Sequence, residues 1–155
     1  MNMTPEQKVN TYVSFAKFLS DEKDWGTSAE YYYMAAEAKK QIAGETEDYI
    51  QLIYNAAIRM FIGKQYEKSL AYYNMVVSFY ECNNLKASQK SIALCRKGMG
   101  NVLSAMKDYA HAKVEFLKAL GYYAKEEPQS ENHASLIERL ATAEKFNRDY
   151  DASIA

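Results

Sequence analysis

The feature that most limits what this chain can fold into is an aromatic residue that returns at nearly constant spacing. Trp25, Tyr66, Tyr109 and Tyr150 lie 41, 43 and 41 residues apart, and each follows a polar residue: Asp24, Gln65, Asp108 and Asp149. Behind the first three come a small residue (Ser28, Ser69, Ala112), then an aromatic (Tyr32, Tyr73, Phe116), then a compact apolar one (Ala35, Val76, Ala119). Ahead of them stand Phe15-Ala16-Leu19, Ala56-Ala57-Met60 and Met99-Gly100-Leu103. Self-similarity at such a period is the mark of stacked structural repeats. Each unit has an apolar face that it cannot bury alone, so neighbours must supply the core.

The breaks between apolar segments fall at helix-sized intervals. Thr4-Pro5-Glu6-Gln7 combines an N-cap, a proline at the first helical position and a capping-box partner, which predicts a helix to about Leu19. A second helix follows the polar break Asp21 to Asp24, runs to about Ile42 and stops at Gly44. A third fits Thr46 to Ile62 and ends at Gly63-Lys64-Gln65. The fourth runs from Tyr66 to about Cys82 with a stop at Asn83-Asn84, and the fifth from Leu85 to Met106. Asp108 caps the sixth, which ends before Pro128, and Ser130 caps a seventh through Phe146. No segment alternates with period two for long enough to make a strand. With only six Gly and two Pro, the chain is expected to be all-α.

The residues quoted above closely resemble the tetratricopeptide repeat (TPR): a small residue in the first helix, an Asp-Tyr at the turn, and Ala, aromatic and Ala along the second. The family's early Trp is Arg96 in the third copy, and its terminal Pro is displaced to Pro128. The resemblance implies a right-handed superhelical stack of antiparallel helix pairs, an α-solenoid forming a single domain over residues 1–155. Its repeats would span about 5–43, 46–83 and 85–127, with a C-terminal capping helix at about 130–147. Leu140-Ala141 and Asp149-Tyr150 read as the opening of a fourth repeat, with a turn at Tyr150. The helices of a pair should approach where Ala16 faces Ser28, Ala57 faces Ser69 and Gly100 faces Ala112. Spacings of 41 to 43 exceed the family's usual 34 by about two helical turns, which keeps the apolar stripe in phase. Bacterial Rap-type peptide sensors and kinesin light chains have long-helix TPRs of this kind.

In stacked TPRs the first helix of each pair lines a concave groove. The resemblance therefore implies a binding surface at Gln51, Tyr54, Asn55, Ile58, Phe61 and Ile62, with Lys97, Asn101 and Arg139 further along. Tyr54, Ile58, Phe61 and Ile62 form an apolar patch of the kind that marks binding surfaces. Lys97 and Asn101, one turn apart, can jointly hold a carboxylate, although they reproduce only part of the clamp that chaperone-binding TPRs use on acidic tails. The expected function is a non-enzymatic protein-protein interaction module, an adaptor or scaffold that holds an amphipathic helix or a peptide with an acidic end. The alternatives are a regulatory fragment of the Rap-type peptide-sensing or chaperone and secretion type, and a self-associating unit. Leu136, Ile137, Leu140 and Phe146 would make a homodimer through the last helix.

Other classes find little support. A net charge of −1 leaves no global basic field for nucleic acid or an anionic membrane. Neighbouring residues of Tyr31-Tyr32-Tyr33 and Tyr72-Tyr73 point about 100° apart on a helix and so make no stacking platform for bases. His111 and His133 have no metal-ligand spacing around them, Glu126-Glu127 reads as a solvated turn, and Gly98-Met99-Gly100 lies in a helical register and not after a strand. No enzymatic activity, cofactor or metal is expected. Cys82 and Cys95 read as small apolar filler in a reducing compartment. Residues Met1 to Gln7 lack the pattern of an export signal, so a cytoplasmic location is expected.

Overall fold

The computed structural model describes residues 2–83 and 88–154. It is built from α1 (Pro5–Asp21), α2 (Trp25–Ala43), α3 (Glu47–Ile62), α4 (Tyr66–Asn83), α5 (Ser88–Ala105), α6 (Tyr109–Glu126) and α7 (Glu131–Ile154). Among the described residues there is no strand. Boundaries of α1 to α6 agree with the sequence reading to within a few residues, whereas α7 runs eight residues past the expected end at Phe146; Asn84 and Leu85 lie outside the described residues. The chain divides into two compact units, residues 1–79 and 80–155.

The helix starts follow from local chemistry. Thr4 accepts from the Gln7 amide while the Gln7 side chain accepts from the Thr4 amide, closing the capping box. Asp24, Thr46 and Asp108 each accept from the amide three residues on, as does Ser130. These caps satisfy amide groups that the first helical turn would otherwise leave without partners.

The turns inside the first three pairs share one geometry. Lys23, Lys64 and Lys107 all lie in the left-handed region, with φ of 63, 62 and 64°. At each, the lysine amide bonds back to a carbonyl three residues earlier and the next amide to one five residues earlier. This is the Schellman arrangement, which usually places glycine at the left-handed position. Here lysine occupies it three times. The expected fourth turn is absent: Asp149 and Tyr150 lie inside α7, which continues to Ile154. A turn forfeits the partners of several terminal carbonyls, and no described helix packs back at this point to compensate.

In the first unit α2 packs between α1 and α3. Ala16, Tyr32 and Ala56 form a buried cluster, with Val13, Tyr31, Leu52 and Tyr72 packed around it. The small-residue contacts occur where expected and are polar as well as close. Ser28 donates to the carbonyl of Ala16 at 2.6 Å, and Ser69 donates to that of Ala57 at 2.8 Å. Ser20 Oγ lies 2.7 Å from Ser28 Oγ, and Arg59 Nε donates to Ser20 Oγ at 3.3 Å. The Arg59 guanidinium also covers the Tyr32 ring at 4.6 Å. Gly63 lets the end of α3 approach the start of α2, because a Cβ there would lie 3.2 Å from Trp25 Cβ. Tyr33 of α2 stacks on Tyr72 of α4 with centroids 5.5 Å apart and ring planes within 4°.

In the second unit α6 packs between α5 and α7. Its core comprises Ala93, Ala112, Phe116, Ala119, Tyr123, Leu136 and Ala143. Gly100 is required by Phe116: a Cβ on Gly100 would fall 2.5 Å from the ring. Arg96 bridges Glu81 and Glu115, at 3.1 Å each.

Candidate binding site

The implied groove residues fall into two groups, one in each unit. On α3, Gln51, Tyr54, Asn55, Ile58 and Ile62 follow one helical face by spacing, beside the buried face made by Ile50, Ile53, Ala57 and Met60. Several are already engaged. The Tyr54 ring meets buried Tyr73 edge-on at 6.0 Å, and Phe61 lies against Tyr66 at 6.2 Å. Asn55 donates to the Gln51 carbonyl and accepts from Arg59 at 2.9 Å. Ile58 is half-buried, while Gln51 and Ile62 are exposed. The apolar patch expected from the sequence is thus narrower than four residues, because two of its rings serve the α3–α4 pair.

In the second unit the face shared by α5 and α7 carries the cationic group. Lys97 Nζ donates to Asn132 Oδ1 at 2.9 Å, and Arg139 Nε donates to Ser135 Oγ at 3.2 Å. Neither cation has a carboxylate partner among the described residues. Burial, and then the Arg139 charge, hold the Lys97 ammonium below the usual lysine range. Asn101 lies one turn beyond Lys97, and its Oδ1 is buried with no hydrogen-bond partner. Beside them opens a cleft of about 470 Å³ lined by Ser104, Tyr109, Ser135, Glu138, Arg139 and Phe146, among others, with Glu138 in no ion pair to Arg139. Two uncompensated cations and an unmatched acceptor on one face suit a ligand that brings both carboxylate and N–H groups.

The dimer surface expected on α7 is largely consumed. Leu136 is fully buried against α6, Leu140 packs on the same core, and Phe146 stacks on Tyr109 at 5.2 Å. Ile137 alone of the four keeps both half its surface and no ring partner. The first helix also exposes Phe15 and Phe18 beside Asn10, Thr11 and Ser14; the sequence reading took Phe15 as a repeat position and put neither ring on a binding surface.

The remaining polar candidates have structural partners. His111 Nδ1 sits 2.8 Å from Asp108 at the α6 cap. Glu127 pairs with Lys90 at 3.0 Å, so only Glu126 is the solvated carboxylate expected of that turn. Cys95 is buried filler, its thiol pushed up to about 12 by burial, but Cys82 is exposed and does not fill a core. Tyr31 packs on Tyr12 and Phe15, and Tyr32 and Tyr73 are buried. Among the described residues, no three His, Cys, Asp or Glu side chains group as metal ligands, and no helix is long and apolar enough to cross a membrane. No protein-family model matches the chain, and no curated protein matches it either.

Proposed function

We propose that the chain is a TPR-like α-solenoid with right-handed stacking, three repeats and a terminal helix, and that it works as a protein-protein interaction module. Its ligand is an extended peptide with an acidic group, held on the α5–α7 face of the second unit. The observation that carries this reading is the pair Lys97 and Arg139, each bonded only to a neutral side chain. An incoming carboxylate would offset the burial and the Arg139 charge that hold the Lys97 ammonium low, and gain charge-assisted hydrogen bonds. Asn101 Oδ1 would accept a peptide amide, which ends its isolation. In the first unit, Ile62 and Ile58 of α3 offer a separate, smaller apolar surface.

A random peptide library selected on the intact protein tests the reading. Enriched sequences should carry Asp, Glu or a free C-terminus, and each charge-assisted bond lost should weaken them by about tenfold or more in Lys97→Ala and Arg139→Ala. Enriched peptides that bind the double variant unchanged would remove this face as the site.

A further inference from the structure

We infer that α6 and α7 present a second docking site, a furrow on the side away from Lys97 and Arg139, that takes one amphipathic helix with acidic flanks from a partner protein. The inference comes from comparing equivalent positions in the two units. In the first unit α4 lies against α2 and α3 together: Tyr72 stacks on Tyr33 of α2 and Ser69 bonds to the Ala57 carbonyl of α3. Moved 84 residues along the chain, Tyr33 becomes Leu117 on α6, and Ala57 becomes Ala141 on α7. Ala57 is fully buried, whereas Ala141 is exposed. The same shift takes Ile53, at 0% exposure, to Ile137 at 50%; Leu117 is 49% exposed. Helix α4 covers Tyr33 and Ala57 in the first unit, and none of the described helices covers their counterparts in the second.

The uncovered positions join into one surface. On α6, Val114, Leu117, Gly121 and Ala124 follow a single stripe by helical spacing, all exposed, and a Cβ added at Gly121 would meet nothing within 4 Å. That stripe borders the side of α6 that meets α7, where Lys113 pairs with Glu144 at 3.2 Å. On α7, Ile137 and Ala141 lie on the neighbouring stripe beyond Glu144. Small residues on both walls allow a helix backbone to settle closely, as Ala57 does for α4.

Charge selects the occupant. Lys118 and Lys125 line the outer edge of the α6 stripe seven residues apart, Lys118 only loosely paired with Glu115 at 3.9 Å, and Lys145 and Arg148 stand on the α7 side. Glu144, the carboxylate at the base, is already shared between Lys113 and Arg148. Glutamates flanking the apolar stripe of an incoming helix would face these cations. A second copy of this surface would oppose like charges, which argues against self-pairing through it.

The test uses an 18-residue, helix-stapled fluorescent peptide that carries the Ser69, Tyr72, Tyr73 and Val76 side chains of α4 at their native spacing, with glutamate at its outward positions. Fluorescence anisotropy on the intact chain should show saturable binding that weakens with salt. Leu117→Asp and Ile137→Asp, both at exposed positions, should each lower affinity about tenfold or more, with unchanged circular dichroism. Lys97→Ala with Arg139→Ala should leave it intact, separating this furrow from the peptide face. The same peptide with lysine for glutamate should bind less tightly. Absence of binding, equal affinity for the lysine peptide, or indifference to both aspartate variants would overturn the inference. So would a concentration-dependent dimer that Leu117→Asp dissolves, since the occupant would then be a second copy.

Discussion

Ser69 gives its hydroxyl hydrogen to the backbone carbonyl of Ala57 at 2.8 Å, across the approach of two antiparallel helices. Ser28 and Ala16 repeat the contact one helix pair earlier at 2.6 Å. The bond is buried, and it ties the second helix of a pair to the first at its narrowest point. Ser69→Ala should therefore cost about 1 kcal/mol and lower the melting temperature by about 2–4 °C. Ala112→Ser, at the equivalent place in the second unit, should leave stability level or raise it. Thermal denaturation of both variants checks the pair.

Gly100 is tolerated inside α5 because the Phe116 ring occupies the space of its missing side chain. Alanine is the better helix former by about 1 kcal/mol, yet Gly100→Ala should destabilise, since overpacking costs about 1–3 kcal/mol. Adding Phe116→Leu should cost less in the alanine background than in the glycine one. Urea denaturation of the four proteins gives the coupling directly.

Lys64 and Lys107 hold a backbone conformation that strains any residue with a Cβ. Lys64→Gly should accordingly raise stability by about 1 kcal/mol, even though glycine loosens the unfolded chain. Lys64→Ala keeps the Cβ and should bring no such gain. Chemical denaturation midpoints of the two variants distinguish relief of backbone strain from loss of the lysine charge.

Lys97 binds its proton less tightly in the folded chain than the ordinary value of 10.5, because of burial and the Arg139 charge. The unfolded state then holds more protons in the window between the lowered value and 10.5, so stability rises with pH across it. The wild type should gain stability relative to Lys97→Met as pH climbs through that window. Paired urea titrations at pH 8 and above measure the difference, and parallel curves would contradict it.

Much of the fold was legible because its determinants are local. The caps Thr4, Asp24, Thr46 and Asp108 act on amides three residues away, and the apolar spacing of α2 to α6 repeats openly. The serine bonds were half legible: smallness at Ser28 and Ser69 showed the close approach, whereas the acceptor is a backbone carbonyl that no sequence displays. The left-handed lysines were hidden, since packing of the pair and not side-chain preference imposes that turn. Tyr150 misled for a related reason. Its Asp-Tyr pair matches the other turns, but a turn forms only where a second helix packs back. At the candidate site, the resemblance put Tyr54 and Phe61 on the expected groove face but could not reveal the rings of Tyr73 and Tyr66 that already hold them.

The hydroxyls beneath Arg59 can be oriented without seeing a hydrogen. Ser28 has one hydrogen and gives it to the Ala16 carbonyl, so the short bond between the serines must run from Ser20 to Ser28. Ser20 is then left with lone pairs, which is what Arg59 Nε requires. Every dipole in the relay points the same way, from the third helix through the first pair to one carbonyl of α1, and each bond polarises the next. Helices α1, α2 and α3 are joined by a one-way chain: the guanidinium can only donate and the carbonyl can only accept, so turning the serine–serine bond around would strip the Ala16 carbonyl of its donor.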